Sequence, residues 1–334
     1  MLFESQAIPK KCLLRKLGNG FALTLIMTIL IAQASHVRCF LLRQSLQGSY
    51  RSQSYHQASS QDVLAINPQY QTTFDVTTPV GRCTGVSISS QQTEQLSQLA
   101  LGEDSHWLRK FLHPREIEYG RNIQSDTTRQ SFLLGRLALR RALQSLQTSS
   151  NVVDREWLFS DDCVLLKDEY GRPCLPRGFL GSISHKDTTA VGLICPGAVY
   201  GKDGEPLSAI GVDLEYCMKA RKNFGRRVLT ASEMDSLGQV DDMDLDTEVR
   251  LRFSAKEAVY KATHPLICQY VSFKEAEVQP YNDGTLGVKL DLTSKAHERF
   301  GKVDAYWQRV GDFFLTSARV EVLDGRPEEC RIHS

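Results

Sequence analysis

The sequence predicts a mixed fold of α-helices and β-strands with two sheet regions. Residues Thr128–Gln147 repeat apolar side chains at spacings of seven, four and three, which is the pattern of a helix with one buried face. Residues Ala209–Glu215 alternate apolar and other side chains, and Thr188–Ile194 is a short apolar run; both patterns are typical of strands. A chain of 334 residues, 41% apolar, suffices for one large domain or two small ones.

The charge and cysteine content exclude several classes of protein. A formal net charge of +1 gives no sign of a nucleic-acid partner, so any basic surface must be local. None of the nine cysteines forms a Cys-x-x-Cys pair, and their irregular spacing argues against a zinc site or a disulfide framework. We therefore expect buried free thiols in a reducing compartment.

The first 61 residues predict a two-part targeting leader. A basic start precedes the apolar run Phe21–Ala32, which has the length of a signal-peptide core; we expect a signal peptide over residues 1–39. Residues 40–61 contain arginine, serine and glutamine but no acidic residue, as transit peptides do. Because this combination resembles the leader of algae with complex plastids, we expect a plastid protein with no membrane anchor in its mature form. A secreted protein with a polar linker, or a cytoplasmic one, is the alternative.

The first half of the chain offers candidate phosphate contacts. Three arginines form a stripe beside the apolar face of the predicted helix: Arg129, Arg136 and Arg140. A guanidinium fork matches phosphate oxygens, although a solvated helix face is the more ordinary interpretation. Glycine and proline in Tyr170–Pro176 predict a turn, and we expect His185 in a polar turn that precedes the next strand.

Two carboxylates lie on one face of the strand predicted at Ala209–Glu215. The apolar side chains point one way, whereas Asp213 and Glu215 point the other way with Gly211. Two carboxylates this close are costly to bury unless a cation lies between them, and oxygen ligands suit a hard ion such as magnesium. An exposed acidic strand face is the alternative, and the spacing alone does not decide between them.

A predicted helix at Phe253–Ala262 carries a third carboxylate. Phe253, Glu257 and Lys261 share one face because they are four residues apart. Lys256 flanks that face. The pattern indicates either an ordinary Glu–Lys helix pair or a third acidic ligand, with lysines that neutralise phosphate charge.

Shorter signals complete the second half. Residues Thr230–Glu233 form a capping box that opens a short helix at Ala231. Turns at Asn282–Gly284 and Gly311–Asp312 join short strands, including Phe313–Val320. These strands are expected to complete the sheet of the second half.

Two of these motifs form a pair that resembles a known family signature. GVDLE at residues 211–215, followed by FSAKEAVYKA at residues 253–262, resembles the signature of phosphopantetheinyl transferases, most closely the enterobactin-synthetase (siderophore) branch. The resemblance extends back through FLLGRLALRRAL and GRPCLPRGFLGSISH and forward through KATHPLICQYVSFKEAEV, so it covers about residues 115–280. One departure is Phe253, where the family often has tryptophan.

The resemblance implies an architecture. Such proteins are monomeric α/β (α+β) folds of two similar halves related by a pseudo-two-fold, each a small sheet with helices, with coenzyme A in the cleft between them. Outside the range of the resemblance, residues 62–100 are rich in glutamine, serine and threonine, and we expect a linker there with an early strand at Val86–Ser90. A first half over residues 101–200 would bind the 3′-phosphate of coenzyme A. A second half over residues 201–325 would hold magnesium and the catalytic groups.

The resemblance also implies a reaction. The serine hydroxyl of an acyl-carrier, peptidyl-carrier or polyketide-carrier protein attacks the coenzyme A phosphate nearest pantetheine, and adenosine 3′,5′-bisphosphate leaves. The implied residues are the magnesium ligands Asp213, Glu215 and Glu257, the catalytic residues Glu257 (as base), Lys261 and Lys256, and the coenzyme A contacts Arg129, Arg136, Arg172 and His185. An acidic carrier is expected to dock on the helix after Thr230, beside Arg226 and Arg227.

Two other functions compete with this interpretation. A metal-dependent phosphodiesterase would need more histidines near the carboxylates than the chain offers. A non-catalytic module that binds carrier protein or coenzyme A would have no need for all three carboxylates and both lysines.

Overall fold

The computed structural model describes residues 70–99, 106–147, 155–202 and 204–323. Two compact units are distinguished. The larger comprises Val63–Leu166 and Pro173–Ser334, and the described part of the smaller is Lys167–Arg172. The predicted signal and transit peptides lie outside the described residues. Within the described ranges, no helix is long and apolar enough to cross a membrane.

The first sheet has four antiparallel strands in the order β1-β2-β4-β3. The strands are β1 (Gln71–Thr77), β2 (Arg82–Ser87), β3 (Phe179–Lys186) and β4 (Thr189–Pro196). Strand β4 is buried along almost its whole length, because it lies inside the sheet and a helix covers it. Edge strand β1 is largely exposed and correspondingly polar.

The described residues before β3 include four α-helices. They are α1 (Ser90–Gln98), α2 (Pro114–Arg121), α3 (Asp126–Gln147) and α4 (Arg155–Leu158). Helix α3 lies against β4 with its apolar side chains buried, as the helical period predicts. The approach is closest at Gly192, where a Cβ would lie 2.5 Å from the backbone nitrogen of Leu139. A residue without a side chain is therefore needed at this crossing.

The second sheet has five antiparallel strands in the order β5-β9-β8-β7-β6. The strands are β5 (Ser208–Tyr216), β6 (Ala276–Pro280), β7 (Thr285–Leu290), β8 (Phe300–Val310) and β9 (Phe313–Val322). Its helices are α5 (Phe224–Val228), α6 (Ala231–Asp235) and α7 (Leu245–Ile267). Helix α7 packs on β5 and β9, so both sheets carry one long helix.

Strand β5 is buried on both faces. One face packs on α7, and the other joins a hydrophobic cluster with the first sheet. That cluster contains Val191 and Leu193 of β4 together with Ile210, Val212 and Leu214 of β5. The backbone N–H of Val212 also donates to Ser182 Oγ of β3 (3.1 Å). Polar side chains on β5 are therefore held between helix α7 and the two sheets.

The structure confirms the predicted mixed α and β architecture with two sheets. Helix α3 and strand β5 lie where the spacing of their apolar residues predicted them. The capping box at Thr230 begins α6, as predicted. The helix predicted at 253–262 is the central part of a longer α7. The pseudo-two-fold relation between the halves stays a prediction.

The secondary structure of two segments differs from the sequence prediction. Residues 71–98, expected to be linker with one early strand, form β1, β2 and α1. Within this segment β1 is the polar edge strand, whereas β2 lies inside the sheet and is mostly buried. His185, expected in a polar turn, lies on β3, because that strand pairs with β4 as far as Lys186.

Cysteines in the described part of the chain are free thiols. Cys83, Cys163 and Cys195 are buried as expected, whereas Cys174 and Cys268 are exposed. Burial raises the pKa of the Cys83 thiol to about 12, which keeps it protonated and unreactive at neutral pH.

Candidate active site

Asp213 is buried on β5 and surrounded by donors. Its Oδ1 accepts hydrogen bonds from Ser184 Oγ of β3 and Lys261 Nζ of α7, both at 2.8 Å. Its Oδ2 accepts a hydrogen bond from Ser254 Oγ of α7 (2.9 Å). Lys261 Nζ also donates to the backbone carbonyl of Val212 (3.0 Å). Asp213 thus lies where β3, β5 and α7 meet, and we take it as the centre of the candidate site.

Glu215 follows Asp213 by two residues and is also buried. Its Oε1 accepts from Lys186 Nζ of β3 (2.8 Å), and its Oε2 accepts from Arg250 Nη1 of α7 (3.1 Å). Both carboxylates contact α7, which agrees with the same-face placement that the strand period predicts.

Glu257 brings the third carboxylate to the site from α7. Burial raises the pKa of Glu257 to about 7, and the Asp213 and Glu215 carboxylates act in the same direction, whereas Lys261 opposes them. Since Glu257 and Lys261 are four residues apart on one helix, they face β5 together. The structure therefore brings together four of the predicted site residues: Asp213, Glu215, Glu257 and Lys261.

These carboxylates fit a hard divalent cation in their chemistry. Three acidic side chains supply the oxygen donors that magnesium prefers. A cation among them would favour the ionised form of Glu257, whose pKa is raised by burial and by the charges of Asp213 and Glu215. Across the described ranges, no three His, Cys, Asp or Glu side chains are gathered into a ligand shell. Hydroxyl and cationic donors hold the oxygens of Asp213 and Glu215 instead. A bound ion would have to join or displace those donors.

Lys256 lies outside this group, and its predicted action on phosphate charge stays a prediction. Its ammonium is buried and donates to Glu233 Oε2 of α6 (2.6 Å) and to the backbone carbonyls of Val228 (2.8 Å) and Phe273 (2.7 Å). Because an ammonium has three donors, all are engaged. Burial lowers the pKa of Lys256, and the Glu233 carboxylate opposes that effect. Lys256 therefore fastens α5 and α6 to α7.

The arginine stripe of α3 is buried rather than solvated. Arg136 donates to two backbone carbonyls, and burial lowers its pKa to about 10. Arg140 pairs with the buried Glu116 (2.7 Å). Arg129 donates to two backbone carbonyls and to Asp126. In this structure the stripe holds neighbouring segments in place, and a coenzyme A contact by Arg129 or Arg136 stays a prediction.

His185 lies at the exposed end of β3, near enough to Asp213 and Lys261 for their charges to act on its imidazole. Neighbouring protein that excludes water lowers the pKa of its imidazole; Lys261 lowers it further, and Asp213 opposes this. The neutral imidazole is therefore favoured at neutral pH.

Arg172, the last predicted coenzyme A contact, lies in the segment Lys167–Arg172. Its guanidinium pairs with the Asp168 carboxylate one turn earlier. Its predicted contact with coenzyme A stays a prediction.

Two sequence models of one enzyme superfamily match the chain. Residues 209–317 match the 4′-phosphopantetheinyl transferase superfamily, and residues 124–195 match the 4′-phosphopantetheinyl transferase N-terminal domain. Together these ranges cover more than half of the 334 residues and contain the carboxylate site and all of α3. The chain belongs to the 4′-phosphopantetheinyl transferase superfamily.

Individual relatives match parts of this phosphopantetheinyl transferase superfamily member. The 4′-phosphopantetheinyl transferase Npt of Nocardia iowensis is 32% identical over 113 residues, which is 34% of this chain and 46% of Npt. The 4′-phosphopantetheinyl transferase PptT of Mycobacterium tuberculosis is 29% identical over 124 residues, which is 36% of this chain and 50% of PptT. The chain therefore spans about half the length of the curated relatives it matches.

Solved structures of holo-ACP synthases also align with part of the chain. The enzyme of Plasmodium yoelii is 21% identical with a TM-score of 0.29, over 34% of this chain and 94% of that one. The ACPS–CoA complex of Chronobacterium ammoniagenes is 21% identical with a TM-score of 0.28, over 35% of this chain and 98% of that one.

Sequence reasoning missed four residues that contact the carboxylates: Ser184, Lys186, Arg250 and Ser254. The spacing of these residues in the sequence could have indicated them, in two pairs. Ser184 and Lys186 are two residues apart and so share one face of β3. Arg250 and Ser254 extend the helical row of Glu257 and Lys261 at spacings of four, three and four.

Proposed function

We propose that this protein transfers the phosphopantetheine arm of coenzyme A to a serine of a carrier protein. The serine Oγ forms a bond to the phosphorus nearest pantetheine, the bond from that phosphorus to the bridging oxygen breaks, and adenosine 3′,5′-bisphosphate leaves. The observation that carries the proposal is the convergence of Asp213 on β5 with Glu257 and Lys261 on α7, inside a range that matches the transferase superfamily.

Glu257 is the group we propose to accept the serine proton, directly or through a water molecule. With a pKa near 7, a substantial fraction of its carboxyl is ionised at neutral pH and is still basic enough to take a proton. Lys261 lies beside it and would stabilise negative charge on the phosphates. Phosphoryl transfer needs this positioning and charge neutralisation more than covalent help from the protein.

The proposal includes magnesium held by Asp213, Glu215 and Glu257. When bound, the ion would supply positive charge that neutralises the coenzyme A pyrophosphate. The oxygen donor set and the raised pKa of Glu257 support this assignment.

Coenzyme A would bind across the two halves, with its 3′-phosphate toward the first half. His185, Arg129, Arg136 and Arg172 are the proposed contacts on that side. The position of His185 beside the carboxylate site supports its inclusion.

A direct assay tests the transfer. The full chain is incubated with an apo acyl carrier protein, coenzyme A and magnesium, and the carrier is weighed by mass spectrometry. We expect the mass of one phosphopantetheine to be added. Asp213→Ala should nearly abolish the gain while the protein stays folded. Asp304→Ala, which removes a surface partner of Lys302 on β8, should leave it intact. Transfer at an unchanged rate in excess chelator would overturn the metal assignment.

The same assay separates the competing functions. A non-catalytic binding module would leave the carrier unmodified at every enzyme concentration. A phosphodiesterase acting on the same arm would remove mass from a holo-carrier. A non-catalytic module would have no need for a lysine and three carboxylates that converge on one strand and one helix, and a phosphodiesterase would need more histidines near those carboxylates.

The finer assignments belong to this proposal as well. We propose placement in the siderophore-synthetase branch, a monomeric state, and carrier docking on α6 beside the exposed Arg226 and Arg227 of α5. A plastid location favours the carrier of fatty-acid synthesis over peptidyl or polyketide carriers. Kinetic comparison of the three carrier types would test that preference.

We also propose that residues 1–61 direct the protein to a plastid. The apolar run followed by an acid-free segment supports this. A fusion of residues 1–61 to a fluorescent protein should label the plastid of a complex-plastid alga. Fluorescence in the medium, or in the endoplasmic reticulum alone, would refute the transit assignment.

A further inference from the structure

Glu215 is held by two cations that belong to no motif. Lys186 Nζ of β3 contacts Oε1 at 2.8 Å, and Arg250 Nη1 of α7 contacts Oε2 at 3.1 Å. Each oxygen of the carboxylate therefore has its own positive partner. The side chains are well shielded, with relative exposures of 11% for Glu215, 15% for Arg250 and 28% for Lys186. Solvent screening of these pairs is therefore weaker than for the surface pairs of this chain.

Lys186 reaches Glu215 from the other sheet. Along β3, alternate side chains contact successive positions of β5: Ser182 accepts from the Val212 N–H, and Ser184 donates to Asp213. Lys186 is the third member of this row. The Lys186–Glu215 ion pair therefore links β3 to β5, as the two serine contacts do.

Lys186 and Arg250 contact the same Glu215 oxygens that a bound metal would use. A carboxylate oxygen binds magnesium at about 2.0–2.1 Å, which would bring the ion close to any ammonium or guanidinium on the same carboxylate. Positive charges this close repel strongly in a shielded site. Asp213 shows the same arrangement, since Lys261 contacts its Oδ1. In each case a protein cation already neutralises the carboxylate.

We infer that Lys186 and Arg250 are counter-cations that compete with magnesium for Glu215. They neutralise Glu215 when the metal is absent, and the ion must displace or repel them on binding. Lys186 and Arg250 thereby set the magnesium concentration that the protein requires. This inference rests on the proposed magnesium site and names residues that regulate it.

Calorimetric titration of the full chain with magnesium chloride tests the inference. The protein is freed of metal and saturated with coenzyme A, and the same titration of coenzyme A alone is subtracted. We expect Lys186→Gln to lower the magnesium Kd about ten-fold, because a nearby positive charge is removed. Arg250→Gln should shift the Kd in the same direction. Lys186→Arg, which keeps the charge, should retain the wild-type value.

A matched control is Lys302→Gln. Lys302 also pairs with a carboxylate of its own sheet, that of Asp304 at 2.7 Å, but it is 63% exposed on β8. Its replacement should leave the magnesium Kd unchanged. Thermal melts verify that each variant is folded. Because Lys186→Gln and Arg250→Gln test the inference independently, one of them still tests it if the other fails to fold.

The outcomes separate this inference from the proposed function. If wild type binds magnesium and both charge-removing variants bind it no more tightly, the counter-cation role is overturned and the magnesium site stands. If neither wild type nor any variant binds magnesium, the proposed site and this inference both fail. Competition at Glu215 is supported if Lys186→Gln and Arg250→Gln both lower the magnesium Kd. Lys186→Arg and Lys302→Gln should then keep the wild-type Kd.

Discussion

Glu257 is the residue at which burial and neighbouring charge combine most clearly. Its pKa lies near 7 in the folded protein, above the ordinary carboxyl value. As the pH rises, the unfolded chain therefore loses the Glu257 proton at a lower pH than the folded protein does. The stabilisation from that proton is complete below the unfolded pKa and is lost as the pH rises through about 7. We expect the unfolding free energy of the metal-free protein to fall across this range and Glu257→Gln to flatten the fall. Urea unfolding in the presence of chelator at pH 5, 6, 7 and 8 measures the unfolding free energy of wild type and Glu257→Gln. If the two proteins show the same dependence of unfolding free energy on pH, the raised pKa of Glu257 is contradicted.

His185 provides a second prediction at the same scale. A contact with the coenzyme A 3′-phosphate is worth about 1.5–3 kcal/mol if charge-assisted. His185→Ala should therefore raise the KM for coenzyme A roughly ten-fold or more and change kcat less. Dephospho-coenzyme A, which lacks the 3′-phosphate, serves as the control substrate. The variant should lose much of the wild-type preference for coenzyme A; full retention of that preference would show that His185 reads another part of the substrate.

At the scale of elements, the crossing of β5 and α7 sets the geometry of the carboxylate site. A Cβ on Gly211 would lie 1.9 Å from the carbonyl oxygen of Ala258 and 2.7 Å from the nitrogen of Ala262. Both atoms are helix backbone, so relief requires α7 to move. We expect Gly211→Ala to lower the unfolding free energy by about 1–3 kcal/mol or more and to reduce transfer activity. Gly287→Ala on β7 is the matched control, because its Cβ would meet only side-chain atoms at 3.1 Å or more. Equal stability of the two variants would refute the close-packing argument.

The junction of α5, α6 and α7 supplies a further prediction. Lys256→Met would leave Glu233 buried without its cation, and breaking a buried pair on one side costs about 3–5 kcal/mol. Lys289→Met removes the exposed partner of Glu277 and should cost at most about 1 kcal/mol. Urea unfolding measures both. The double variant Lys256→Met with Glu233→Gln should recover part of the loss; if it recovers none, the unpaired carboxylate is not the cause.

At the scale of the whole molecule, the two sheets share one hydrophobic cluster. Val191 and Leu193 of the first sheet and Ile210, Val212 and Leu214 of the second pack together there. Because neither sheet can expose this surface at low cost, we expect both to unfold in one cooperative transition. Differential scanning calorimetry of the full chain should show one peak for the folded part, with equal calorimetric and van't Hoff enthalpies. Two resolved peaks would mean that the halves are independently stable.

The sequence by itself determined the elements with strong periods and the residue types of the site. The two-residue period of β5 placed Asp213 and Glu215 on one face, and the helical spacing placed Glu257 and Lys261 together, because these relations depend only on local backbone geometry. The apolar face of α3 followed for the same reason.

Only the tertiary structure decided the environment of each charged side chain. Lys256 and Lys261 are five residues apart on one helix, yet one is enclosed by α6 and its neighbours and the other reaches Asp213. The α3 arginines are buried against segments that no local pattern reveals. Arg129 contacts Ser97 and Ile123, Arg136 contacts Leu165 and Leu166, and Arg140 contacts Glu116 of α2. The Lys186–Glu215 pair likewise joins two strands that are distant in sequence. Period is a property of neighbouring residues, whereas burial and charge partners depend on which distant segments fold against them.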